Sequence, residues 1–491
     1  MSAQATNLHD GAVPGTVHLV DLAGQQQRNA IELVPRPSDD REDPLNWSRR
    51  RKYISVVTLC VYTLGIGMAV SLQYSVLADI TRDTGISTAN LVQGTGVMFL
   101  FFGWGCLFWQ PIALTYGRRG VYLMSALATV PLMVWTAYSQ SAGEWYAHRV
   151  ATGIRGRANR VLARSHSTFV APLIAGFFSE AYGWRWTMHF GAIVAAATFV
   201  ILFLFMDETM YFRNTLEGLE MEQPQKPSEG IQIPKILGKT AENIGEVTSE
   251  MNTDPKSNSQ SLAAPKSHKT RLLSKLQPFT KMPGRPSNQE MFKGMIVPLL
   301  LIFQFPTVFW AGFIYGVNLC WYMLLNATAS PILSAPPYNW PTGLVGCMYI
   351  GPIIGAAFGS IWAGTIADRL TLRLAIRNNG VREPEQRLWP LGLSALLACI
   401  GLVVWGVGAQ HDIHWAGLAV GLGVLTFGCV TGGSIALSYN VDCFKDISGH
   451  STTGIIIIRN TLAFAIAYGI TPWYTAMGLQ NCFIMAGILA L

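Results

Sequence analysis

Apolar runs of about 20 residues recur along the chain, and shorter polar stretches separate them. A helix of that length crosses the hydrocarbon core of a bilayer, which only helices and closed barrels can do, because backbone groups find no water there. The runs are too long for barrel strands, so we predict membrane-spanning helices. They cover residues 53–77, 91–114, 121–138, 188–206, 292–325, 341–366, 388–407, 415–437 and 451–474, and a last apolar run extends from 482 to 491.

One region between the apolar runs does not fit this pattern. Residues 144–178 hold two apolar parts of about ten residues each, too short to cross about 30 Å as helices. Between them lies the sequence GIRGRANRVLARSHS, and an arginine at mid-membrane depth costs roughly 2.5 to 3.5 kcal/mol even on a lenient scale. Its four arginines are Arg155, Arg157, Arg160 and Arg164. We expect the region to enter the membrane and return on the same side, which preserves the orientation of every later span.

A polar segment divides the apolar runs into two comparable groups. Residues 211–290 are rich in Pro, Ser, Lys and Glu and poor in aromatics, a composition typical of disorder. When the irregular region counts as two spans, six spans precede this segment and about six follow it, which indicates two repeated bundles. We therefore predict a cytoplasmic N-terminal tail (1–52), an N-terminal helical bundle (53–210, abnormal at 143–178), a disordered cytoplasmic linker (211–290) and a C-terminal helical bundle (291–491).

Composition and charge agree with a membrane protein. Only 13% of the residues are charged, against about 25% in soluble proteins. The net charge of +7 reflects Lys and Arg in cytoplasmic loops rather than nucleic-acid binding, since no nucleic-acid motif accompanies it. The basic loops all fall on one side if the N-terminal tail is cytoplasmic. Asn326 then lies outside, in a sequon that is either a glycosylation acceptor or an unused match.

The residues that enzymes and ATP-driven pumps require are not found in this sequence. The nearest match to a phosphate-binding loop is IPKILGKT, in which Ile233 replaces the required first glycine. No Ser-His-Asp, metal or paired-carboxylate pattern indicates an enzyme, and the eight scattered cysteines are typical of small buried apolar side chains. We therefore expect no enzymatic activity, no cofactor and no metal.

A short motif at the end of the eighth predicted span indicates a transporter. The sequence GTIADR has the spacing G-x-x-x-D-R, and here the chain resembles the major facilitator superfamily of secondary transporters, whose members carry such a loop after their second and eighth spans. The glycine would allow close helix packing, the aspartate would satisfy free amides at a helix start, and the arginine would pair with acids on neighbouring helices. The resemblance thus implies a gating loop at Gly364, Asp368 and Arg369.

The two copies of this loop depart from the family pattern in different ways. The copy after the eighth span has Thr371 and Leu372 where the family has Gly and Arg. The copy after the second span has Leu114 in place of the acid and keeps only the tail of the motif, Gly117, Arg118 and Arg119. We expect the second-span latch to be weaker than the family pattern or replaced by other contacts.

Further short matches extend the resemblance over nearly the whole chain from about residue 43. HRVATG places Arg149 and Gly153 like the fourth-span arginine motif, and APLIAG (171–176) is similar either to the fifth-span element of antiporters or to generic helix packing. DPLNWSRRRKY, WRW, DETMYF, NLCWY and IIIIRNT look like fungal drug:proton antiporters, a subfamily that includes polyamine permeases. The resemblance implies an all-α polytopic major facilitator fold of two six-helix bundles, with about ten full spans here, spans four and five shortened and span twelve truncated.

Polar side chains inside the predicted spans are the candidates for the functional site, since each is costly in lipid unless it faces a cavity or a partner. Arg149, Asp442 and Arg459 are candidate coupling or structural charges, and Arg459 either serves a cavity or pairs with a carbonyl group or with Asp442. The aromatic residues of the seventh span form either a flat-sided pocket for organic cations or core packing. The candidate substrate-binding residues are Gln73, Tyr74, Gln93, Gln304, Asn318, Trp321, Tyr322, Tyr439, Asn440 and Asn460.

These features predict a secondary active transporter that moves small organic molecules by proton-coupled alternating access. Few acids lie deep in the spans, which favours export of drugs or secondary metabolites over uptake of polyamines or other organic cations. The alternative from a different class is a non-transporting or defective product, because the family has two complete spans where residues 144–178 lie. We interpret that region as the result of a deletion or a misjoined exon. The functional alternative is a basic re-entrant element that attracts an anionic substrate or lipid headgroup. We expect a monomer in the plasma membrane with a cytoplasmic N-terminus, binding its substrate, protons and lipid.

Overall fold

The computed structural model describes residues 17–18, 43–155, 164–210, 287–378, 381–444 and 447–491. Arg157, Arg160 and nearly all of the predicted linker lie outside the described residues, and the backbone alone is described at Arg164.

The N-terminal half of the described chain is built from helices joined by short turns. The first begins after Ser48, whose hydroxyl accepts a hydrogen bond from the Arg51 amide, and it continues into a 3-10 turn at Leu72–Tyr74. The helices are α1 (Arg49–Ser71), α2 (Leu77–Thr84), α3 (Thr88–Tyr116), α4 (Arg118–Tyr138), α5 (Ala142–Ile154), α6 (Arg164–Tyr182) and α7 (Trp184–Phe205).

The C-terminal half is also built mainly from helices. A π-helical turn at Trp362–Ile366 makes the helices on either side of it continuous. Gly478, with a φ of 76°, introduces a kink into the last helix. The helices are α8 (Asn288–Gln304), α9 (Pro306–Ser334), α10 (Thr342–Cys347), α11 (Ile350–Ile361), α12 (Ala367–Arg377), α13 (Leu391–Gln410), α14 (Trp415–Cys443) and α15 (Ser448–Ala490). Two short strands, β1 (Val17–His18) and β2 (Val381–Arg382), pair antiparallel.

The helices confirm an all-α polytopic membrane protein. Within the described residues, nine helical segments are long and apolar enough to cross a membrane, where the sequence indicated about ten. Helices α5 and α6 are not among the nine, and the apolar part of α6 covers only Thr168–Tyr182. All eight cysteines are free thiols with buried or half-buried side chains, in agreement with the sequence prediction.

Successive spans run in opposite directions, so their connections collect at two ends of the bundle. We call one the proximal end, which carries the start of α1, the turn at Gly117, residues 206–210, residues 378–390 and the start of α15. We call the other the distal end, which carries α2, residues 139–141, the turn at Gly183, residues 335–341 and residues 411–414.

Helices α5 and α6 occupy the region that the sequence marked as irregular. At 1.5 Å per residue they are about 20 and 28 Å long. Helix α5 starts at the distal end and α6 returns to it, and α7 then runs to the proximal end. There the Glu208 carboxylate accepts hydrogen bonds from the backbone amides of Arg118 and Arg119, each at 3.0 Å. The chain therefore enters and returns on one side, and the later helices keep their orientation.

The predicted seventh span, residues 292–325, is wrong in its boundaries. Phe305 has an extended backbone, and Pro306 starts a new helix because proline has no amide hydrogen to continue the previous one. The membrane-spanning helix is α9, and α8 is a separate helix that packs against the start of α15 and the end of α3. Gln304 consequently lies at the end of α8 with an exposed side chain, outside the span that was expected to hold it.

The two halves meet mainly along α3 and α6. Helix α3 packs against α15 and α8, and α6 packs against α10 and α11. At the second junction Gly176 lies against Gly346, and a Cβ atom added to Gly176 would stand 2.9 Å from the Gly346 Cα and 2.7 Å from the Thr342 carbonyl oxygen. Only glycine allows so close an approach of two backbones. This junction brings residues of both halves together below the distal end.

Candidate functional site

An aromatic cluster lies where the two halves join. Tyr74 follows α1, Phe169 belongs to α6 and Tyr322 to α9. The Tyr322 ring meets both others edge to face, with ring centroids 6.3 Å from Tyr74 and 5.2 Å from Phe169. All three side chains are buried. The structure thus places two of the predicted binding residues, Tyr74 and Tyr322, in contact, and Phe169 joins them although its sequence context marked it only as apolar.

A small cavity adjoins this cluster. Its volume is about 10 Å³, which is room for no more than about one water molecule. The residues that line it come from both halves: Tyr74, Leu77, Val92, Thr95, Met323, Asn326 and Ala327. The cavity is too small to hold an organic molecule in this conformation.

Asn326 lies at this cavity and not in an exposed loop. Its amide nitrogen donates to the Tyr322 carbonyl oxygen at 2.8 Å, and its amide oxygen accepts from the Tyr349 hydroxyl at 2.9 Å. The side chain is 1% exposed. The glycosylation reading of its sequon is therefore wrong, because the amide is buried within α9.

Two glutamines of the first and second spans lie close by. Gln73 is buried, and its amide nitrogen donates to the Thr95 hydroxyl at 3.0 Å. Gln93 accepts a hydrogen bond from the Tyr146 hydroxyl at 2.9 Å, which links α3 to α5. Gln73 thus belongs to the surroundings of the cavity, whereas Gln93 serves packing between neighbouring helices of one half.

The distal end is held shut by polar contacts that the sequence did not reveal. Asp79 of α2 accepts hydrogen bonds through Oδ2 from the hydroxyls of Ser179 at 3.1 Å and Thr342 at 2.8 Å. Glu180 accepts one from the Gly343 amide at 3.1 Å. We call these residues and their bonds the distal gate. Acids at the ends of helices look like ordinary surface charges in a sequence, and no local signal distinguishes these two.

A third acid at the distal end belongs to one half only. The Trp184 indole nitrogen donates to the Asp83 carboxylate at 2.9 Å, and Arg185 forms an ion pair with it. The hydrogen bond from Trp184 and the charge of Arg185 lower the pKa of the Asp83 carboxyl below its ordinary value, against the opposing effect of partial burial. Asp83 therefore stays ionised and ties α2 to α7.

Arg149 is buried between α5 and α3. Its guanidinium lies 4.3 Å from the centre of the Trp145 ring, and Nη1 is 3.8 Å from the Met98 sulfur. Gly153, one turn on, allows this packing, since a Cβ there would stand 2.6 Å from the Met98 carbonyl oxygen and 2.7 Å from the Phe101 Cβ. The R-x-x-x-G spacing thus places the charge and the close contact on the same face of α5.

Arg155 is the one arginine of the GIRGRANRVLARSHS run whose side chain is described. It is 5% exposed and donates to the Thr129 hydroxyl on α4. Its Nε and Nη2 atoms have no hydrogen-bond acceptor among the described residues. Its guanidinium therefore points into the N-terminal bundle.

Arg459 pairs with neutral partners. Nη1 donates to the Tyr315 hydroxyl at 2.9 Å and Nη2 to the Asn460 side-chain oxygen at 3.0 Å. The predicted alternative, pairing with Asp442, is wrong. That carboxylate lies at the proximal end of α14 and binds Arg382 and Arg387. The contacts of Arg459 join α15 to α9 instead.

The remaining predicted binding residues do not line the cavity. Asn318 donates to the Ile314 carbonyl oxygen within its own helix, and Trp321 is buried core. Near the proximal end, the Tyr439 ring packs edge to face on Trp310, and Asn440 donates to the Ser451 hydroxyl at 2.9 Å. These two residues tie α14 to α9 and α15. Neither Tyr439 nor Asn440 lines the cavity.

At the proximal end, the predicted gating motif of the N-terminal half contacts the segment that follows α7. Gly117 has a φ of 101°, which glycine alone adopts without strain, and it directs the amides of Arg118 and Arg119 towards Glu208. The Arg119 guanidinium donates to the Phe203 carbonyl oxygen at 3.0 Å. Glu208, in the sequence DETMYF, supplies the acid that the sequence lacks at Leu114.

The copy in the C-terminal half is arranged differently from the sequence expectation. Asp368 does not cap a helix start, because α11, the π turn and α12 are continuous; it forms an ion pair with Arg387 at 3.1 Å. A Cβ on Gly364 would meet no atom within 4 Å, so this glycine permits no close approach. Arg369 is exposed, and within the described ranges it forms no ion pair. Arg387 therefore pairs with both Asp368 of the motif and Asp442 of α14.

The comparisons with known proteins agree with this architecture. The family model described as Major Facilitator Superfamily matches residues 158–472. The chain is 26% identical to an uncharacterized MFS-type transporter of Schizosaccharomyces pombe, with 94% of this chain and 85% of that protein covered. It is 24% identical to the efflux pump FUBT of Fusarium oxysporum, with 94% and 73% covered.

A solved structure shows the same fold. The proton:xylose symporter XylE superposes with a TM-score of 0.54 at 10% identity, over 90% of this chain and 94% of that chain. With its apolar helices, its two joined halves and the family match over most of its length, the chain belongs to the Major Facilitator Superfamily of multi-pass membrane transporters.

Proposed function

We propose that the chain exports small organic molecules by proton-coupled alternating access. The observation that best supports this function is the position of the aromatic cluster. Tyr74, Phe169 and Tyr322 come from both halves and meet at their junction, close to the distal gate. Alternating access requires a substrate site at such a junction, since a rocking motion of one half against the other exposes it to each side in turn.

Polar contacts join the two halves at both ends of the bundle. At the distal end, the Asp79 carboxylate accepts from the Thr342 hydroxyl. Towards the proximal end, the Gln110 amide of α3 donates to the Gly449 carbonyl oxygen of α15 at 2.6 Å, and the Tyr116 hydroxyl donates to the Asn288 side chain at 3.0 Å. The proposed transport cycle therefore requires each set of contacts to open in turn.

The charges within the described spans favour an uncharged or anionic substrate over a polyamine. The acids of these helices lie towards the distal or the proximal end of the bundle, as Glu180 and Asp442 do. Farther from the ends are Arg149 within α5, Arg155 directly after the last residue of α5, and Arg459, which lies about 16 Å along α15 from its start at 1.5 Å per residue. A polyamine would meet repulsion there with no carboxylate to balance it. The name of the Fusarium relative, an efflux pump, also supports export.

The test is a pair of measurements in yeast that lacks its own drug pumps. Expression of the chain should raise resistance to a panel of drugs, and a protonophore should abolish that resistance. Radiolabelled spermidine uptake should stay at the background rate. Tyr322→Ala, which removes the ring shared by both aromatic contacts, should lose the resistance while the protein remains in the membrane.

The alternatives give different results in the same assay. Spermidine uptake without any resistance would establish the polyamine permease and contradict export. Neither activity, with the protein correctly inserted, would favour a non-transporting product, for which the shortness of α5 is the supporting observation.

A further inference from the structure

The distal gate contains a carboxylate that bonds to both halves at once. Asp79 accepts from Ser179 of α6 in the N-terminal half and from Thr342 at the start of α10 in the C-terminal half. Both hydroxyls donate to the same oxygen, Oδ2. Glu180 secures the next residue of α10 by accepting from the Gly343 amide. The first two residues of α10 are therefore held by two acids of the opposite half.

We propose that Asp79 is a proton-binding site and that its protonation releases the distal gate. The proton comes from the distal side of the membrane, and its uptake converts the gate from closed to open. This inference deepens the proton-coupled transport proposed above and rests on it.

The chemistry of the carboxyl group provides the switch. An ionised carboxylate only accepts hydrogen bonds, which suits two hydroxyl donors. A carboxyl oxygen that takes up a proton becomes a donor, and the remaining bonds lose the assistance of charge. Charge-assisted hydrogen bonds are roughly twice as strong as neutral ones. Protonation of Asp79 therefore weakens the tie to Thr342 and leaves the other bonds of the gate to hold the halves alone.

The groups around Asp79 leave its charge weakly compensated. Arg82 lies 3.9 Å from Oδ1, but its side chain is 79% exposed, so water screens the attraction. Glu180 on α6 places a second negative charge in the same gate. Asp83 is already engaged by Trp184 and Arg185 of α7. Helices α3, α9 and α10, which adjoin the gate, carry no charged residue.

The location of Asp79 links the proton to the substrate compartment. Asp79 stands five residues after Tyr74, which belongs to the aromatic cluster, and two after Leu77, which lines the small cavity. On the opposite half, Ser330 donates to the Ser75 carbonyl oxygen at 3.3 Å between the cavity and the gate. Release of α10 from Asp79 therefore removes a restraint directly above the compartment in which a substrate would sit.

The test measures gate opening separately from transport. Ala327→Cys places a thiol on the cavity wall of the full-length protein in proteoliposomes. A membrane-impermeant thiol reagent is added on the distal side at pH 7 and at pH 4.5, and the labelling of the parent chain is subtracted. Gln140→Cys, on an exposed distal turn, supplies the pH dependence of the thiol reaction itself.

Relative to that reference, labelling of Ala327→Cys should rise about tenfold at the lower pH, the population change expected when one charge-assisted hydrogen bond is lost. Adding Asp79→Asn should make labelling high at both pH values. Thr342→Val, which removes the donor and keeps the acid, should raise labelling at pH 7. Asp83→Asn, an acid on the same helix that does not bridge the halves, should behave like the unsubstituted gate.

Two results would overturn the inference: low labelling of Asp79→Asn at pH 7, or a pH dependence that persists in that variant. Substrate transport driven by a proton gradient, measured in the same vesicles, separates this inference from the proposed function. Gating that depends on Asp79 without proton-driven transport contradicts the proposed function alone. Proton-driven transport that Asp79→Asn leaves unchanged contradicts the role of Asp79 alone.

Discussion

Arg459 of α15 and Tyr315 of α9 form a hydrogen bond of 2.9 Å, and the guanidinium also lies 4.7 Å from the centre of the tyrosine ring. The arginine is 3% exposed, and its second bond goes to Asn460, whose Cβ would clash with any side chain at Gly103 of α3. The buried Arg459 therefore joins α15 to α9 at a position where α15 also packs closely against α3 of the other half. A charge at this depth is retained because its hydrogen bonds are made within the protein.

Arg459→Lys should reduce transport by more than tenfold with little loss of protein. A lysine keeps the charge, but its single ammonium group cannot reach the Tyr315 and Asn460 oxygens with the fork geometry of a guanidinium. The measurement is drug resistance normalised to the amount of protein at the membrane. Tyr315→Phe is the matched variant: it keeps the ring contact, removes one hydrogen bond and should give a smaller defect. Equal activity of Arg459→Lys and the parent would contradict this role.

Gly153→Ala should lower the free energy of unfolding by about 1 to 3 kcal/mol, the usual cost of forcing one methyl group into a packed contact. The new Cβ would stand 2.6 Å from the Met98 carbonyl oxygen, so α5 and α3 must separate. Thermal unfolding of the purified protein in detergent micelles measures the loss.

Gly143→Ala is the control for that substitution. It changes the same residue type on the same helix, at a position where a Cβ would meet no atom within 4 Å. It should be neutral or slightly stabilising, because alanine favours a helix more than glycine does. A similar loss from both substitutions would contradict the role of the contact with α3, because the higher helix propensity of alanine cannot lower the stability.

Arg387→Gln should destabilise the proximal end of the C-terminal half by about 1 to 3 kcal/mol, between the values for exposed and buried ion pairs. Asp442 is 21% exposed at its side chain and contributes most of this, whereas Asp368 is 60% exposed and is screened by water. Resistance to thermal unfolding and to proteolysis between α12 and α13 measures the effect. Arg369→Gln, at an exposed site, should change neither by a measurable amount.

Gly176→Val should prop the distal gate open. The valine Cβ would press on the Thr342 carbonyl oxygen and on Gly346, so α6 cannot keep its contact with α10. Labelling of Ala327→Cys from the distal side should rise at pH 7 as well as at low pH. Gly469→Ala, where a Cβ would meet no atom within 4 Å, should leave labelling unchanged. Low labelling of the valine variant at both pH values would contradict the role of this junction in sealing the gate.

Much of the fold was predictable from the chain because membrane crossing is a local property. The apolar run at 121–138 predicted α4 almost to the residue, and the irregular region at 144–178 resolved into the short helices α5 and α6. The seventh span failed because its apolar pattern continues through Phe305, where a single proline starts a new helix. A pattern of apolar residues does not reveal the end of a helix when the residues on both sides of that end are equally apolar.

The candidate site was only partly predictable. Tyr74 and Tyr322 were named because large polar aromatics within apolar runs are informative, and they do meet. Asp79, Glu180 and Glu208 were not named, since an acid near a helix end resembles any solvated charge. Their importance depends on partners that lie about 90 to 260 residues away in the chain.

The sequence indicated most of the helices that are long and apolar enough to cross the membrane, and it indicated the superfamily. These properties follow from the length and apolarity of each segment and from short motifs within it. The tertiary structure alone decided how the charges are paired. Arg459 binds Tyr315 instead of Asp442, Arg387 takes the latch position expected of Arg369, and Asp79 joins the two halves. Such pairing depends on how helices are rotated and how their ends converge, and glycines such as Gly176 set that geometry by the closeness they permit.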